Sequence, residues 1–75
     1  TRLDVDLYRA DVRIALEQLG RAAGRNLVLL GEVTGQVTLE LRDVPALLAI
    51  QAAAASAGCV AEDQGDLILV RRPMH

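Results

Sequence analysis

A chain of 75 residues and 8.0 kDa has room for a single hydrophobic core, since a domain this small buries only about 60% of its unfolded surface. Apolar residues make up 52% of it and aromatics 1%; thirteen Leu and twelve Ala rule out a disordered chain, and the lone Tyr8 cannot build a platform for stacking bases. All eight cations are Arg against ten acids, net charge −2, and only Arg71 and Arg72 are adjacent. No basic stripe tracks a phosphate backbone, so no nucleic-acid partner is expected. The single Cys59 permits no internal disulfide. The longest apolar stretch, Val44 to Val60, contains Pro45, Gln51 and Ser56 and reads as a core helix rather than a membrane span. Thr1 is not an initiator Met, and the chain reads as part of something larger.

Leu3, Val5 and Leu7 alternate with Asp4, Asp6 and Tyr8, the period of a half-buried strand. Asp11 supplies an N-cap for a helix over Val12–Ala23, with Val12, Ala15, Leu16, Leu19, Ala22 and Ala23 at helical spacing and Gly24 as its stop. Ile14 falls on the polar side of that helix. Asn26–Leu30 is a short continuous apolar run, the pattern of a strand covered on both faces. Gly31 and Gly35 bracket a turn, and Val37, Leu39 and Leu41 mark a second half-buried strand. Asp43-Val44-Pro45 reads as the start of another helix, with an acid near the cap and Pro in the first turn. That helix runs to Ser56 or Ala57 and stops at Gly58. Val60–Glu62 and Leu67–Val70 form two last strands around Asp63-Gln64-Gly65-Asp66. The order βαββαββ, without strict βαβ alternation, gives an α+β fold. Residues 1–72 are read as the domain and 73–75 as a linker or tail.

Catalysis finds few groups to work with. There is one Ser, one Cys and one His, and His75 at the chain end is poorly placed as a base held by a third group. The acids Asp4/Asp6 and Glu62, Asp63 and Asp66 read as solvated charges of ordinary pKa. Cys59 beside Gly58 reads as a small core hydrophobe, and it makes no metal site with the remote His75. Gly20/Gly24 and Gly31/Gly35 lack the spacing of a nucleotide loop, and the chain has no Lys. Gly20, inside the helix, is expected at a close approach to a neighbour. No enzyme activity, cofactor, metal or small-molecule substrate is expected.

The ordered set of segments resembles the short N-terminal domain of secretins. The segments are the strand Leu3–Tyr8, the helix start Ala10-Asp11-Val12-Arg13, Leu16 and Leu19, Gly24, Asn26-Leu27-Val28, Val33-Thr34-Gly35-Gln36-Val37-Thr38-Leu39, Asp43-Val44-Pro45, Ala49, Ile50, Gly58 and Leu67–Val70. The resemblance covers essentially the whole chain. It implies two helices held between a two-stranded and a three-stranded sheet. It further implies a periplasmic module of an outer-membrane secretin, a ring-forming channel of type IV pilus or type II secretion machines. Its partners would be sibling secretin subunits and inner-membrane pilus or secretion components. The Val-Thr-Leu and Asp-Val-Pro wording is closer to pilus secretins. A related domain at the N-terminus of TonB-dependent transducers, which signals to an anti-sigma regulator, is the alternative; it usually lacks the Val-Thr-Leu strand.

Two departures from the family pattern stand out. The family's Trp and polar residues after Val-Pro are replaced by Ala46, Leu47 and Leu48, and a typical acid of the first helix by Ile14. The second helix carries no charge. At 100° per residue, Ala46, Leu47, Ile50, Ala53, Ala54 and Ala57 fall together, opposite Leu48, Gln51, Ala52, Ala55 and Ser56. A helix apolar all round is expected to be sealed on all sides. The competing expectation is that Ile14 and Leu48 are exposed and belong to an interface with Gln51, Ala52 and Ala55.

Overall fold

The backbone runs through β1 (Arg2–Asp11), α1 (Val12–Ala23), β2 (Asn26–Leu30), β3 (Gln36–Pro45), α2 (Ala46–Ser56), β4 (Val60–Asp63) and β5 (Leu67–Arg71). This computed structural model describes residues 2–73; Met74 and His75, and with them most of the expected tail, lie outside the described residues. The α+β class and the βαββαββ order are those read from the sequence. β1 and β3 pair antiparallel as a two-stranded sheet. In the other sheet β5 is central, parallel to β2 and antiparallel to β4.

α1 begins where its sequence says it should. The Asp11 carboxylate accepts from the backbone N–H groups of Arg13 (2.9 Å) and Ile14 (3.3 Å), satisfying donors that have no partner within the helix. Gly24 closes it at φ +68°, a left-handed conformation that glycine adopts without cost. Gly20 lies against β2: a side chain there would put its Cβ 3.5 Å from the Leu27 Cβ, as the close-approach reading anticipated.

α2 starts differently from the expectation. Val44 and Pro45 belong to β3, Pro45 is the N-cap, and no side chain caps the helix. Asp43 is not a cap but a residue of β3 at φ +54°, ion-paired to Arg2. The helix relies on packing instead: Ala46, Ala49, Ile50, Ala53 and Ala54 are buried. At its end the Ala54 carbonyl accepts from the Cys59 N–H at 2.8 Å, and Gly58 turns at φ +76°.

The two-stranded sheet carries two β-bulges. Between the pairs Leu3↔Val44 and Val5↔Leu41, β3 has Arg42 and Asp43 where β1 has only Asp4. Between Leu7↔Leu39 and Ala10↔Val37, β1 has Tyr8 and Arg9 where β3 has only Thr38. Each bulge holds a non-glycine residue in the left-handed region, Asp43 at φ +54° and Arg9 at +51°. In both, the lone residue of the opposite strand takes that residue's N–H. The Asp4 carboxylate accepts from Asp43 at 2.8 Å, and the Thr38 hydroxyl accepts from Arg9 at 2.9 Å. Asp4 is therefore a structural acceptor rather than a free solvated charge. Each extra residue shifts the inward alternation by one, so that Ala10 and Val44 are half-buried while Tyr8 and Arg42 are not turned to the core.

Left-handed backbone costs an L-residue about 1–2 kcal/mol, more than the entropy penalty of glycine. Arg9→Gly is therefore expected to stabilise the fold by roughly 0.5–1 kcal/mol, read as a rise in the urea midpoint at unchanged slope. A fall in the midpoint would mean that Arg9 makes a contact worth more than the strain.

The core lies between the two sheets, built from Val12, Leu16, Val33, Val37, Ile50, Ile68 and Val70, all fully buried, and closed by Ala49, Ala53, Ala54 and Cys59. Cys59 is the core hydrophobe expected of it. No polar or charged side chain is buried among the described residues. Charges instead tie segments together at the surface. The Arg25 guanidinium donates to the Asp63 carboxylate at 2.6 Å, and Asp63 also accepts from the Gly65 N–H at 2.9 Å. Those two donors hold the Asp63 carboxyl below the usual carboxylate range, a correction to the expectation of an ordinary pKa. Glu62 likewise has a partner, Arg71 at 3.1 Å.

Candidate interaction surface

Among the described residues no three His, Cys, Asp or Glu side chains converge as metal ligands. Two shallow grooves, of about 240 and 260 Å³, are lined by Ala23, Arg25 and Pro45–Leu47 and by the Leu3–Leu7 segment against Ala15, Gln18, Leu19 and Ala22. Neither brings together a nucleophile and a base. The features that call for an explanation are apolar side chains in water: Tyr8 (77% exposed), Ile14 (56%), Leu30 (47%), Leu48 (46%) and Val60 (38%).

Ile14 and Leu48 occupy the outer sides of α1 and α2, two helices that pack against each other. The buried positions of α1 are Val12, Ala15, Leu16, Leu19 and Gly20, which leaves the third helical position, Ile14, to solvent. That position has a physical preference. An acid three residues after an Asp N-cap can reach back to the cap N–H and faces the positive end of the helix dipole. α1 has no acid in its first turn. An aliphatic side chain stands where electrostatics favours a carboxylate and where burial gives it nothing in return.

α2 is not sealed on all sides, which corrects the expectation drawn from its apolar sequence. Leu48, Gln51, Ala55 and Ser56 are exposed, and Ala52, placed with them by the helical wheel, is half-buried. Ala46 lies at the centre of the buried stripe, flanked by Ile50 and Ala53, with Ala49 and Ala54 at its margins. The sheets cover only part of the helix circumference, and α1 a further part. Its outward strip is uncharged. Of the five candidate interface residues, Ile14, Leu48, Gln51 and Ala55 are available to a partner and Ala52 borders them.

Sequence reasoning expected docking through exposed strand edges or helix faces and did not single out the outer sheet face. β2 was expected to be covered on both faces, yet Val28 is half-buried and Leu30 exposed. Tyr8, the lone aromatic, projects from the β1 bulge. The signal for these was present: apolar residues at both parities of β2 and β5 require cover on both faces, and the described residues cover one.

The architecture is an α+β fold of two helices packed between a two-stranded and a three-stranded sheet. That fold is the one of secretin N0 domains. The chain is similar to the N0 domain of the type II secretin from enterotoxigenic Escherichia coli, with a TM-score of 0.78 over 95% of this chain and 94% of that one at 12% identity. It is similar also to the structure of XcpQN012, with a TM-score of 0.73, 21% identity and 96% of this chain covered. The N-terminal domain of the secretin XcpQ from Pseudomonas aeruginosa gives 0.72, 22% identity and 93% coverage. The chain spans 36% of the length of each of these last two. No protein-family model matches the sequence, and no curated protein does.

Proposed function

We propose that this chain is a non-enzymatic assembly module of an outer-membrane secretin, working in the periplasm through protein–protein contacts. The observation that supports it most is the agreement of an N0 fold along nearly the full length of both chains with the secretin-like Val33–Leu39 segment, which in the fold joins a buried loop residue to β3. The partners are sibling secretin subunits and inner-membrane components of a type IV pilus or type II secretion machine. The uncharged outer side of α2, with Leu48 exposed on it, supports the interaction half of the reading, and Ile14 adds an exposed aliphatic on α1: isolated aliphatic anchors suit a modest, reversible contact. The transducer reading is second, because the Val-Thr-Leu strand that its domains usually lack is present here as part of β3.

The test is binding of the 75-residue chain to purified inner-membrane pilus and secretion components and to transducer anti-sigma regulators. Capture of a pilus or secretion component, lost in Ile14→Glu or Leu48→Asp with the fold intact, supports the proposal. Binding only to an anti-sigma regulator transfers the chain to the second reading. Turnover of any substrate by the pure chain would contradict the non-enzymatic half.

A further inference from the structure

The outer face of the three-stranded sheet is largely aliphatic, and no element among the described residues lies over it. Ile68 and Val70 of β5 are fully buried and fix the inward parity of the sheet. By the register, Leu67 and Leu69 then point outward with Val28 and Leu30 of β2 and Val60 of β4. Leu30 and Val60 are 47% and 38% exposed. Val28, Leu67 and Leu69 are half-buried but do not pack against the core, unlike their inward neighbours Leu27 and Leu29. A monomeric soluble domain seldom leaves so continuous an apolar face in water.

The charges on this face select its occupant. Among the described residues of the sheet it holds one acid and one base, Glu62 and Arg71, diagonal neighbours joined at 3.1 Å, with side chains 43% and 42% exposed. The face therefore has no net charge and offers nothing to an anionic lipid surface or a strongly charged partner. It is, however, complementary to itself. In a two-fold contact residue i meets j and j meets i, so one rotation sets Arg71 of each copy over Glu62 of the other while the aliphatic rows interdigitate, as in a sheet-on-sheet packing. We propose that this face is a contact between two copies of the chain, made face to face about a two-fold axis.

Such a contact closes after two copies and leaves neighbours in a ring to another surface. It stands apart from the secretin reading, and its failure would not touch that reading.

The 75-residue chain is examined by sedimentation equilibrium from roughly 10 µM to 1 mM, the range of weak but specific contacts. A monomer–dimer equilibrium is expected. Glu62→Arg and Arg71→Glu should each raise the dimer dissociation constant by about tenfold or more, since each sets like charges opposite one another. Mixing the two variants should restore dimers, because the opposed charges then match again. Leu30→Lys, a substitution at an exposed site, should also abolish them, with far-UV circular dichroism unchanged in every variant. A monomer throughout the range overturns the proposal. So does a dimer indifferent to these substitutions, or one that the mixture fails to restore.

Discussion

Ile50→Ala is expected to lower the stability of the domain by about 2–5 kcal/mol, the usual cost of emptying a buried isoleucine site. Ile50 is fully buried on α2, in a helix without a side-chain cap and without charge. Its packing is therefore most of what holds it in place. A domain of this length has only about 4–11 kcal/mol in total, so the loss should be visible as partial unfolding in mild urea. Ile14, the same residue type on the other helix, should behave in the opposite way. Ile14→Glu puts a carboxylate at the third position of α1, where the dipole and the Asp11 cap favour it by about 0.3–1 kcal/mol, against a minor loss of exposed aliphatic surface. Stability should hold or rise. Urea midpoints of the two variants decide the matter, and equal losses would mean that Ile14 carries structural weight that its 56% exposure does not reveal.

Val33 should be the second site of large effect, although it lies in a loop. It is fully buried in the Gly31–Gly35 connection, and the loop is pinned from outside: the Arg72 guanidinium donates to the carbonyls of Glu32 (3.3 Å) and Thr34 (3.1 Å), and the Val12 N–H donates to the Gly35 carbonyl at 3.0 Å. These contacts join the start of α1, the loop and the chain after β5. Val33→Ala should cost roughly 2 kcal/mol from lost burial. Val33→Asp would set an unpartnered carboxylate in a core that holds no buried polar side chain, and the chain should be unfolded near neutral pH. Thermal melts give the readout. A folded Val33→Asp variant with a midpoint near that of the parent would show that the loop can swing out at little cost.

Much of the fold was legible because local signals agreed with tertiary ones. The Asp11 cap, the helical spacing of Val12, Leu16 and Leu19, and the Gly24 stop gave α1 its observed limits. The period-two pattern placed β1 and β3, and the continuous aliphatic run placed β2. The bulges were less visible. Inward residues fall at 3, 5, 7 and 10 on β1 and at 37, 39, 41 and 44 on β3, a one-residue slip in each strand. The slip is present in the sequence, but Arg9 and Asp43 stand where glycine would have advertised a left-handed residue. Asp43 followed by Val-Pro was therefore read as a helix start. Its N–H is taken by Asp4, 39 residues away, a partner no local pattern reports.

The sequence by itself determined the element order, the α+β class and most of the core, because periodicity and capping act within a few residues of chain. It also placed Ile14 on the polar side of α1. Only the tertiary structure decided which apolar residues stay in water. Ala53 and Leu48 are both apolar members of one uncharged helix, yet one is fully buried and the other 46% exposed. On β5, Val70 is fully buried and its neighbour Leu69 only half-buried. Hydropathy records that a side chain prefers cover, while cover itself depends on how far two small sheets reach around two helices. In 75 residues they do not reach all the way, and the aliphatic surface they leave is what a partner can use.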